Sequence, residues 1–280
     1  MFTQRLSEAF DLTNRRLAYP LLLFFLGLPA VGLMLSAGEL QEPASAANFG
    51  LALRFFGFIL LYALLALFIW PFAYGGVIGG LAHSSGGAAN WSLFKTAAVK
   101  NYGRLLLFNL LLFVLAVALF FTFVLIAAFG ILASSLGSGG DLSALQEQLS
   151  QPPASSGLGT FFGQLAGTLF AEAALLVWVA AMITLVLSER GLWRSLGAGF
   201  KTFFTRPVFK LYLLAFLVFL FLNLLGALIF NRPGIPRLFS GVYFVIVVLL
   251  QAYFSVFAIA FLLPAFKPKE PPDVWVAPTG

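Results

Sequence analysis

Long apolar runs, separated by short polar or basic segments, are the dominant pattern along this chain. Six of the runs reach the roughly 20 mainly apolar residues that a helix needs to cross a bilayer. They are too long and too continuously apolar for barrel strands, which alternate over about ten residues. Because only helices and closed barrels satisfy their backbone in lipid, the pattern predicts an all-α integral membrane protein with six transmembrane helices. The predicted spans are Leu17–Leu35, Phe55–Ile78, Leu105–Leu132, Phe161–Leu187, Leu211–Phe230 and Phe239–Leu263.

Composition excludes a soluble globular domain. Hydrophobic residues make up 61% of the 280 positions and charged residues 9%, against about 45–50% and about 25% in soluble domains. So few charges cannot cover that much apolar surface in water. The absence of cysteine also excludes disulfides, a thiol nucleophile and cysteine metal sites. The predicted membrane domain covers residues 1–266, and a Pro-rich tail follows at 267–280.

The distribution of basic residues predicts the orientation. If the N-terminus is cytoplasmic, thirteen of the sixteen Lys and Arg residues lie on the cytoplasmic side of the membrane. The other three are Arg54, Arg232 and Arg237, and this asymmetry is what the positive-inside rule requires. We therefore expect a multi-pass protein of a bacterial cell membrane with both termini cytoplasmic. The alternative for the first span is a signal peptide cleaved after Ala44-Ser45-Ala46. The long preceding stretch, which contains Glu8 and Asp11, favours a retained anchor.

A shift of 106 residues (161 minus 55) aligns two parts of the chain without a gap. Segments 55–107 and 161–213 then each contain one span, one basic segment and the start of another span, which predicts an internal two-helix duplication. Both copies start on the same side, as in a parallel repeat. The matching anchors are Phe55-Phe56-Gly57 with 161–163, Phe94-Lys95-Thr96 with 200–202, and Arg104-Leu105 with Lys210-Leu211.

The basic segments of both copies have helical amphipathic spacing. Leu192, Leu196, Phe200 and Phe203 recur at steps of four and three in the second copy, which predicts a helix in the plane of the membrane interface. The first copy shows a weaker pattern from Trp91 to Leu105. These segments either anchor the spans or recognise anionic lipid or a cytoplasmic partner. The predicted contacts to lipid headgroups are Lys95, Lys100, Arg190, Arg194 and Lys201.

Six spans with paired basic segments resemble a group of prokaryotic multi-pass proteins. The stretches that carry the likeness are Trp91–Leu107 and Leu192–Leu214, each aromatic, then basic, then rich in Leu. The group is related to the membrane domain of some glycerophosphoryl diester phosphodiesterases. The soluble domain that carries catalysis in that family has no counterpart here, so the resemblance implies a six-span fold and no enzymatic activity.

Glu172 is the sharpest polar feature within a predicted span. Gln164, Thr168 and Glu172 follow at four-residue steps, so they share one helical face. Gly163, Gly167 and Ala171 lie beside this stripe and predict close helix packing. An ionisable group at this depth is by default a functional-site hypothesis, here a proton or cation site. The alternative is a protonated Glu172 in an interhelical hydrogen bond. The predicted partners are Asn109, Asn223 and Gln251.

Other polar residues do not assemble a recognisable catalytic or metal site. His83 is the only histidine, and a metal site or a triad needs further ligands or partners that the sequence does not place beside it. No phosphate-binding glycine loop is present, so no cofactor is expected. Gly75, Gly76, Gly79 and Gly80 predict tight packing or, with Pro71, a hinge.

Two main hypotheses for function follow from these patterns. The first is a non-enzymatic membrane protein that organises, scaffolds or assists other envelope components, with lipids, another membrane protein or a second copy as partner. The alternative is a small transporter or channel that uses the polar stripe around Glu172. A lipid-modifying enzyme has least support, because the sequence contains no clustered acid–base pair. A cavity that reaches Glu172 favours transport, and a fully packed bundle favours scaffolding.

Overall fold

A computed structural model describes residues 2–40, 49–83, 90–137, 157–188, 191–230 and 237–266, and this part of the chain is helical apart from short turns. The helices are α1 (Phe2–Asn14), α2 (Ala18–Leu40), α3 (Phe49–Leu64), α4 (Trp70–His83), α5 (Trp91–Gly137), α6 (Gly157–Ser188), α7 (Leu192–Phe203), α8 (Arg206–Phe230) and α9 (Arg237–Phe266). A π-helical segment, Leu65–Ile69, joins α3 to α4. The tail at 267–280 lies outside the described residues.

Six helical stretches of the described chain are long and apolar enough to cross a membrane, which confirms the six-span prediction. The third stretch begins at Trp91 and ends at Leu119, whereas the prediction was Leu105–Leu132. The boundaries of the other five stretches lie within five residues of those predicted. The six stretches are Ala18–Ser36, Leu53–His83, Trp91–Leu119, Leu165–Ser188, Arg206–Gly226 and Phe239–Phe266.

The N-terminal helix α1 was not predicted from the sequence. It packs along α9, where the Phe2 and Phe261 rings meet edge to face at 5.8 Å and the Tyr253 hydroxyl donates to Asn14 Oδ1 at 2.8 Å. Phe2, Leu6 and Ala9 are spaced four and three residues apart, and this spacing is the signal that marks the helix. The residues before the first span are therefore part of the bundle.

Arg16 connects the start of α2 to the end of α4. Its side chain is only 2% exposed, and Nη1 donates to the Gly80 carbonyl at 3.0 Å. Burial lowers the pKa of Arg16 below its ordinary value, because the charged guanidinium is partly desolvated. Arg16 therefore satisfies a carbonyl in the last turn of α4, where cations are favourable, and lies inside the bundle.

The first basic segment is not a separate interfacial helix. It forms the first turns of the 47-residue helix α5, and Phe94, Ala97 and Ala98 are buried against α4. A side chain at Gly79 would collide with Ala97, so glycine permits this close approach. The prediction of glycine packing is confirmed. The apolar side of the segment faces protein because the glycines of α4 leave room for it.

The second basic segment forms the short helix α7, as predicted, but α7 packs along α6. Gly199 lies so close to α6 that an added Cβ would be 2.6 Å from the Val177 carbonyl. Ser195 and Phe203 are buried on the same side, whereas Phe200 is exposed. The face of α7 that packs on α6 therefore follows the small residues Ser195 and Gly199, and Phe200 of the predicted apolar side stays exposed.

Pro71 accounts for the π-helical segment. Proline has no N–H, and its ring clashes with the carbonyl four residues earlier in a regular helix. The chain widens locally, and the Trp70 N–H bonds to the Leu65 carbonyl five residues back. The Ala66 carbonyl, which Trp70 would engage in an α-helix, instead accepts a hydrogen bond from Asn109 Nδ2 at 3.3 Å. Pro71 thus creates a vacant acceptor that another helix fills.

Among the described residues, tight packing of the helices is concentrated at one end of the bundle. We call residues 73–81 of α4, 176–186 of α6 and 256–263 of α9 the packed half, because almost all of their side chains are buried. We call residues 27–34 of α2, 62–70, 167–172 of α6, 219–223 of α8 and 247–251 of α9 the open half. Each of α6 and α9 passes from the open half into the packed half, so one helix has both environments.

Candidate functional site

The open half encloses a cavity of about 400 Å³. It lies among α2, α3, α4, α6, α8 and α9, and apolar side chains form most of its wall. A volume of this order is in the range of sites for small molecules and far exceeds the space of one water. The lining residues are Leu23, Gly27, Ala30, Met34, Tyr62, Trp70, Tyr74, Gly167, Thr168, Ala171, Glu172, Phe219, Asn223, Val247, Val248, Gln251, Ala252 and Ser255.

Glu172 lines this cavity and is almost completely shielded. Its side chain is 4% exposed, and its Oε2 atom has no hydrogen-bond partner among the described residues. A buried polar atom without a partner is unfavourable by about 1–3 kcal/mol, so most native structures avoid it. The interhelical hydrogen bond that the alternative hypothesis requires is therefore not made by this oxygen within the described chain.

Three of the other predicted site residues line the same cavity. Thr168 lies one turn before Glu172 on α6, and its Oγ1 accepts a hydrogen bond from Asn223 Nδ2 of α8 at 2.8 Å. Gln251 contributes from α9. Gln164 belongs to α6, but its side chain lies outside the described part of the structure. The structure thus brings together Thr168, Glu172, Asn223 and Gln251.

Asn109 is not a partner of Glu172. Its amide nitrogen donates to the Ala66 carbonyl, and its amide oxygen accepts from Trp178 Nε1 at 3.1 Å. Asn109 does not line the cavity. The carbonyl released by Pro71 competes successfully for this amide, and this competition could not be read from the sequence without the π-helical segment.

The small residues beside Glu172 do not bring helices together as predicted. A Cβ added at Gly167 would meet nothing within 4 Å, and Gly167 and Ala171 both line the cavity. Gly163 has no described side-chain environment. The absence of bulk at Gly167 and Ala171 therefore makes space next to Glu172 instead of a close helix contact.

An aromatic wall of three residues was not predicted from the sequence. Tyr62, Trp70 and Tyr74 line the cavity, with ring centroids 5.4 Å apart for the first pair and 6.2 Å for the second. Trp70 Nε1 is buried without a hydrogen-bond partner among the described residues. Trp70 and Tyr74 are one helical turn apart, which is a weak signal in a chain with 16% aromatic residues.

Charge in this cavity has one sign. Glu172 is the one residue with a charged side chain among the described residues that line it, and none of these is Lys, Arg or His. No group of three or more His, Cys, Asp and Glu residues capable of holding a metal ion occurs in the described ranges. The site therefore offers one carboxyl, a few neutral polar groups and four aromatic rings, those of Tyr62, Trp70, Tyr74 and Phe219.

The predicted lipid-contacting cations lie on a different surface. Lys95 and Lys100 are exposed on α5, and Arg194 and Lys201 are exposed on α7. Arg190 lies outside the described residues. Trp193 of α7 is 66% exposed and lies on the same helix as the exposed Phe200. This mixture of cations and aromatic rings is typical of side chains at a membrane interface.

Comparison with protein-family models, with curated proteins and with solved structures found no match to this chain. The resemblance to the membrane domain of glycerophosphoryl diester phosphodiesterases therefore stays a prediction from the residues quoted above.

Proposed function

We propose that this chain is a multi-pass membrane transport protein that binds a cation or a proton at Glu172. The observation that carries the proposal is the cavity beside this carboxyl, in which one oxygen lacks a hydrogen-bond partner within the described chain. A carboxyl that only stabilised the bundle would direct both oxygens at neighbouring donors. A carboxyl that exchanges a ligand needs an unoccupied acceptor and room beside it.

The cavity has an opening, and this favours a role in transport over a sealed packing defect. The lining residues Gly167 and Ala171 of α6 and Asn223 of α8 are exposed and lie within the spans, so the cavity opens toward the lipid at these positions. The packed half closes the path toward the other end of the bundle. We infer that the packed half opens in turn during transport, as an alternating-access cycle requires.

Proton movement in proteoliposomes tests this function. The protein is reconstituted with a pH-sensitive dye inside the vesicles, and gradients of Na⁺, K⁺ and a small organic ammonium ion are imposed in turn alongside a pH gradient. We expect proton movement through the wild type that Glu172→Gln abolishes, because the amide cannot exchange a proton. Glu8→Gln is the matched control, since Glu8 is an exposed carboxyl on α1. Equal fluxes in wild type and Glu172→Gln would refute the proposal.

Orientation and location belong to the same proposal. We infer a bacterial cell membrane with both termini cytoplasmic, on the strength of the basic residues beside the span ends. The chain has no cysteine, so Asp141→Cys and Lys201→Cys each introduce one thiol into an otherwise unreactive protein. A membrane-impermeant maleimide added to whole cells is expected to label position 141 and not position 201. The reverse labelling pattern would overturn the orientation.

An organising role in the envelope is the second candidate, and the exposed face of α7 favours it. Trp193, Phe200, Arg194 and Lys201 are exposed together on this helix, and such a face suits anionic lipid or a membrane partner. Replacement of Arg194 and Lys201 by Gln is expected to reduce the anionic lipid that co-purifies in mild detergent. Unchanged lipid content after this double substitution would remove the support.

A further inference from the structure

We propose that the cargo of this cavity is a protonated organic amine with an apolar body and a hydrogen-bond acceptor, and that it exchanges with the proton on Glu172. This inference rests on the proposed transport function and specifies its substrate class. It follows from four properties of the cavity: its charge, its size, its aromatic wall and its two unpartnered polar atoms.

The charge of the cavity selects a cation. With Glu172 ionised, the described lining carries one negative charge and no basic side chain to balance it. An isolated buried charge is strongly unfavourable, and it becomes acceptable when a counter-charge arrives in the site. A neutral or anionic cargo would leave the carboxylate unbalanced or add repulsion.

The size and lining of the cavity select an organic molecule over a bare metal ion. A volume of about 400 Å³ is much larger than a cation, and Ca²⁺ or Mg²⁺ would require six or more oxygen ligands at close range. The described wall offers one carboxylate, and one of the other oxygens, Thr168 Oγ1, already accepts a hydrogen bond from Asn223. Apolar residues such as Leu23 and Phe219 match the body of an organic amine.

The aromatic wall strengthens the same selection. Tyr62, Trp70 and Tyr74 line the cavity that contains Glu172. The face of an aromatic ring attracts a cation, and the attraction is larger when the site is shielded from water. Carboxylate and rings together suit a molecule whose positive charge lies next to carbon. A strongly hydrated inorganic ion gains less from such a wall.

Two unpartnered atoms define the hydrogen bonds that the cargo makes. Glu172 Oε2 is an acceptor without a donor, and Trp70 Nε1 is a donor without an acceptor, among the described residues. Both residues line the cavity, but the two atoms are themselves covered, so each side chain turns toward the cargo as it binds. An ammonium N–H satisfies the first atom, and an oxygen elsewhere on the same molecule satisfies the second. A quaternary ammonium ion lacks the required N–H.

Competition with protons follows from the single carboxyl. The described lining contributes no other acidic or basic group with an ordinary titration below pH 9; the titratable neighbours are Tyr62 of α3 and Tyr74 of α4. Tyr212 of α8 is also close enough to Glu172 for an electrostatic interaction, while α2 and α9 contribute only non-titratable residues to the wall. One proton therefore leaves for each amine bound. Affinity rises with pH by up to about tenfold per unit until Glu172 is ionised.

Binding to the full-length protein in lipid nanodiscs tests the inference with matched compounds. The probes are 2-(4-methoxyphenyl)ethylamine, its alcohol 2-(4-methoxyphenyl)ethanol, the anion 4-methoxyphenylacetate, and 2-phenylethylamine, which lacks the acceptor oxygen. We expect the methoxy amine to bind best and its affinity to rise from pH 5 to pH 8. Glu172→Gln is expected to weaken its binding about tenfold or more and to remove the pH dependence. Glu8→Gln is expected to leave both unchanged.

Trp70→Phe tests the acceptor. This substitution keeps a ring and removes the N–H, so we expect it to abolish the preference for the methoxy amine over 2-phenylethylamine. Trp193→Phe on the exposed face of α7 is the control and is expected to preserve the preference. Equal binding of the alcohol or the anion, or amine binding that ignores Glu172→Gln, would overturn the inference.

Failure of the inference is distinguishable from failure of the proposed function. If Na⁺ or K⁺ gradients drive proton movement that depends on Glu172 while the amine does not bind, transport at Glu172 stands and the substrate class is wrong. If no cation drives Glu172-dependent movement and no amine binds, both proposals fall.

Discussion

The packed half and the open half of the bundle use the same residue type for opposite purposes. Gly79 in the packed half lies so close to α5 that a side chain would collide with Ala97. Gly167 in the open half has no neighbour within 4 Å of an added Cβ, and it lines the cavity beside Glu172. A small residue in a transmembrane helix therefore either permits a close helix contact or leaves space for a cavity. The position of the neighbouring helix determines which of the two occurs.

The two halves also treat polar groups differently. In the packed half, Thr184 donates to the Ala180 carbonyl at 2.9 Å within its own helix. In the open half, Glu172 Oε2 and Trp70 Nε1 are buried without partners among the described residues. Unsatisfied buried groups lower stability, so they persist where another demand outweighs folding. Ser195 Oγ of α7, which packs against the packed half, is also buried without a partner among the described residues. The unpartnered atoms of the open half differ in that a cavity adjoins their residues, and this supports a functional interpretation.

The largest expected effect comes from filling the close contact of the packed half. Gly79→Leu forces α4 and α5 apart, because Ala97 is fixed on its own helix and cannot move aside. We expect a loss of about 3 kcal/mol or more in the free energy of unfolding. Unfolding in mixed micelles of mild detergent and SDS measures it. Stability equal to that of the wild type would show that the two helices are not in close contact.

A smaller loss is expected when the interhelical hydrogen bonds of Asn109 are removed. Asn109→Leu leaves the Ala66 carbonyl and Trp178 Nε1 without partners, which lowers the free energy of unfolding by about 1–3 kcal/mol. In a Pro71→Ala background the Trp70 N–H can bond to Ala66, so the same substitution should be milder by about 1 kcal/mol. Additive effects of the two substitutions would contradict the assigned role of Pro71.

We expect Glu172 to lower the free energy of unfolding, unlike the hydrogen-bonded polar groups of the packed half. Glu172→Leu replaces a buried acceptor without a partner by an apolar side chain, so we expect the free energy of unfolding to rise by about 1–2 kcal/mol. The same variant is expected to lose proton flux. Thermal unfolding of the purified protein measures stability, and proteoliposomes measure flux. A large loss of stability would mean that Glu172 holds the bundle together.

The smallest effect on stability is expected at the cavity glycine. Gly167→Leu fills part of the cavity without a clash and gains helix propensity, so the free energy of unfolding should change by about 1 kcal/mol or less. Flux and amine binding should nevertheless be lost, because the added side chain occupies the space beside Glu172. Gly103→Leu is the matched control, since Gly103 also has open space at its Cβ. Normal function in Gly167→Leu would refute the role of the cavity.

The residue offset that relates the two predicted repeats is four larger than the offset that relates the two observed helix contacts, a difference of about one helical turn. The sequence anchors are related by 106 residues. The close helix approach joins Gly79 to Ala97 in one half of the chain and Ala181 to Gly199 in the other, and these pairs are related by 102 residues (181 minus 79). Pro207, which follows the end of α7, has Asn101 at the corresponding position in the 106-residue alignment. Proline begins a new helix there, whereas Asn101 lets α5 continue, and the duplication stays a prediction.

Much of the fold could be predicted from the sequence, and so could part of the candidate site. Long apolar runs predicted six spans, and the four-residue steps of the stripe placed Thr168 and Glu172 on one face, as observed. The partners across the cavity were predicted only in part, because Asn223 and Gln251 contribute and Asn109 does not. The aromatic wall was not predicted, since rings occur throughout the chain and only the tertiary contacts distinguish the three that form this wall.

The sequence alone determined that hydrocarbon is the solvent of this protein and that helices cross it six times, because length and hydropathy are local properties of each segment. Only the tertiary structure decided which glycines pack and which leave space, which amide pairs with a carbonyl released by Pro71, and which acid faces a cavity. Those outcomes depend on what lies opposite each residue. A given type of side chain therefore stabilises the bundle where another helix lies close to it. The same type of side chain can bind a ligand where the neighbouring helices diverge.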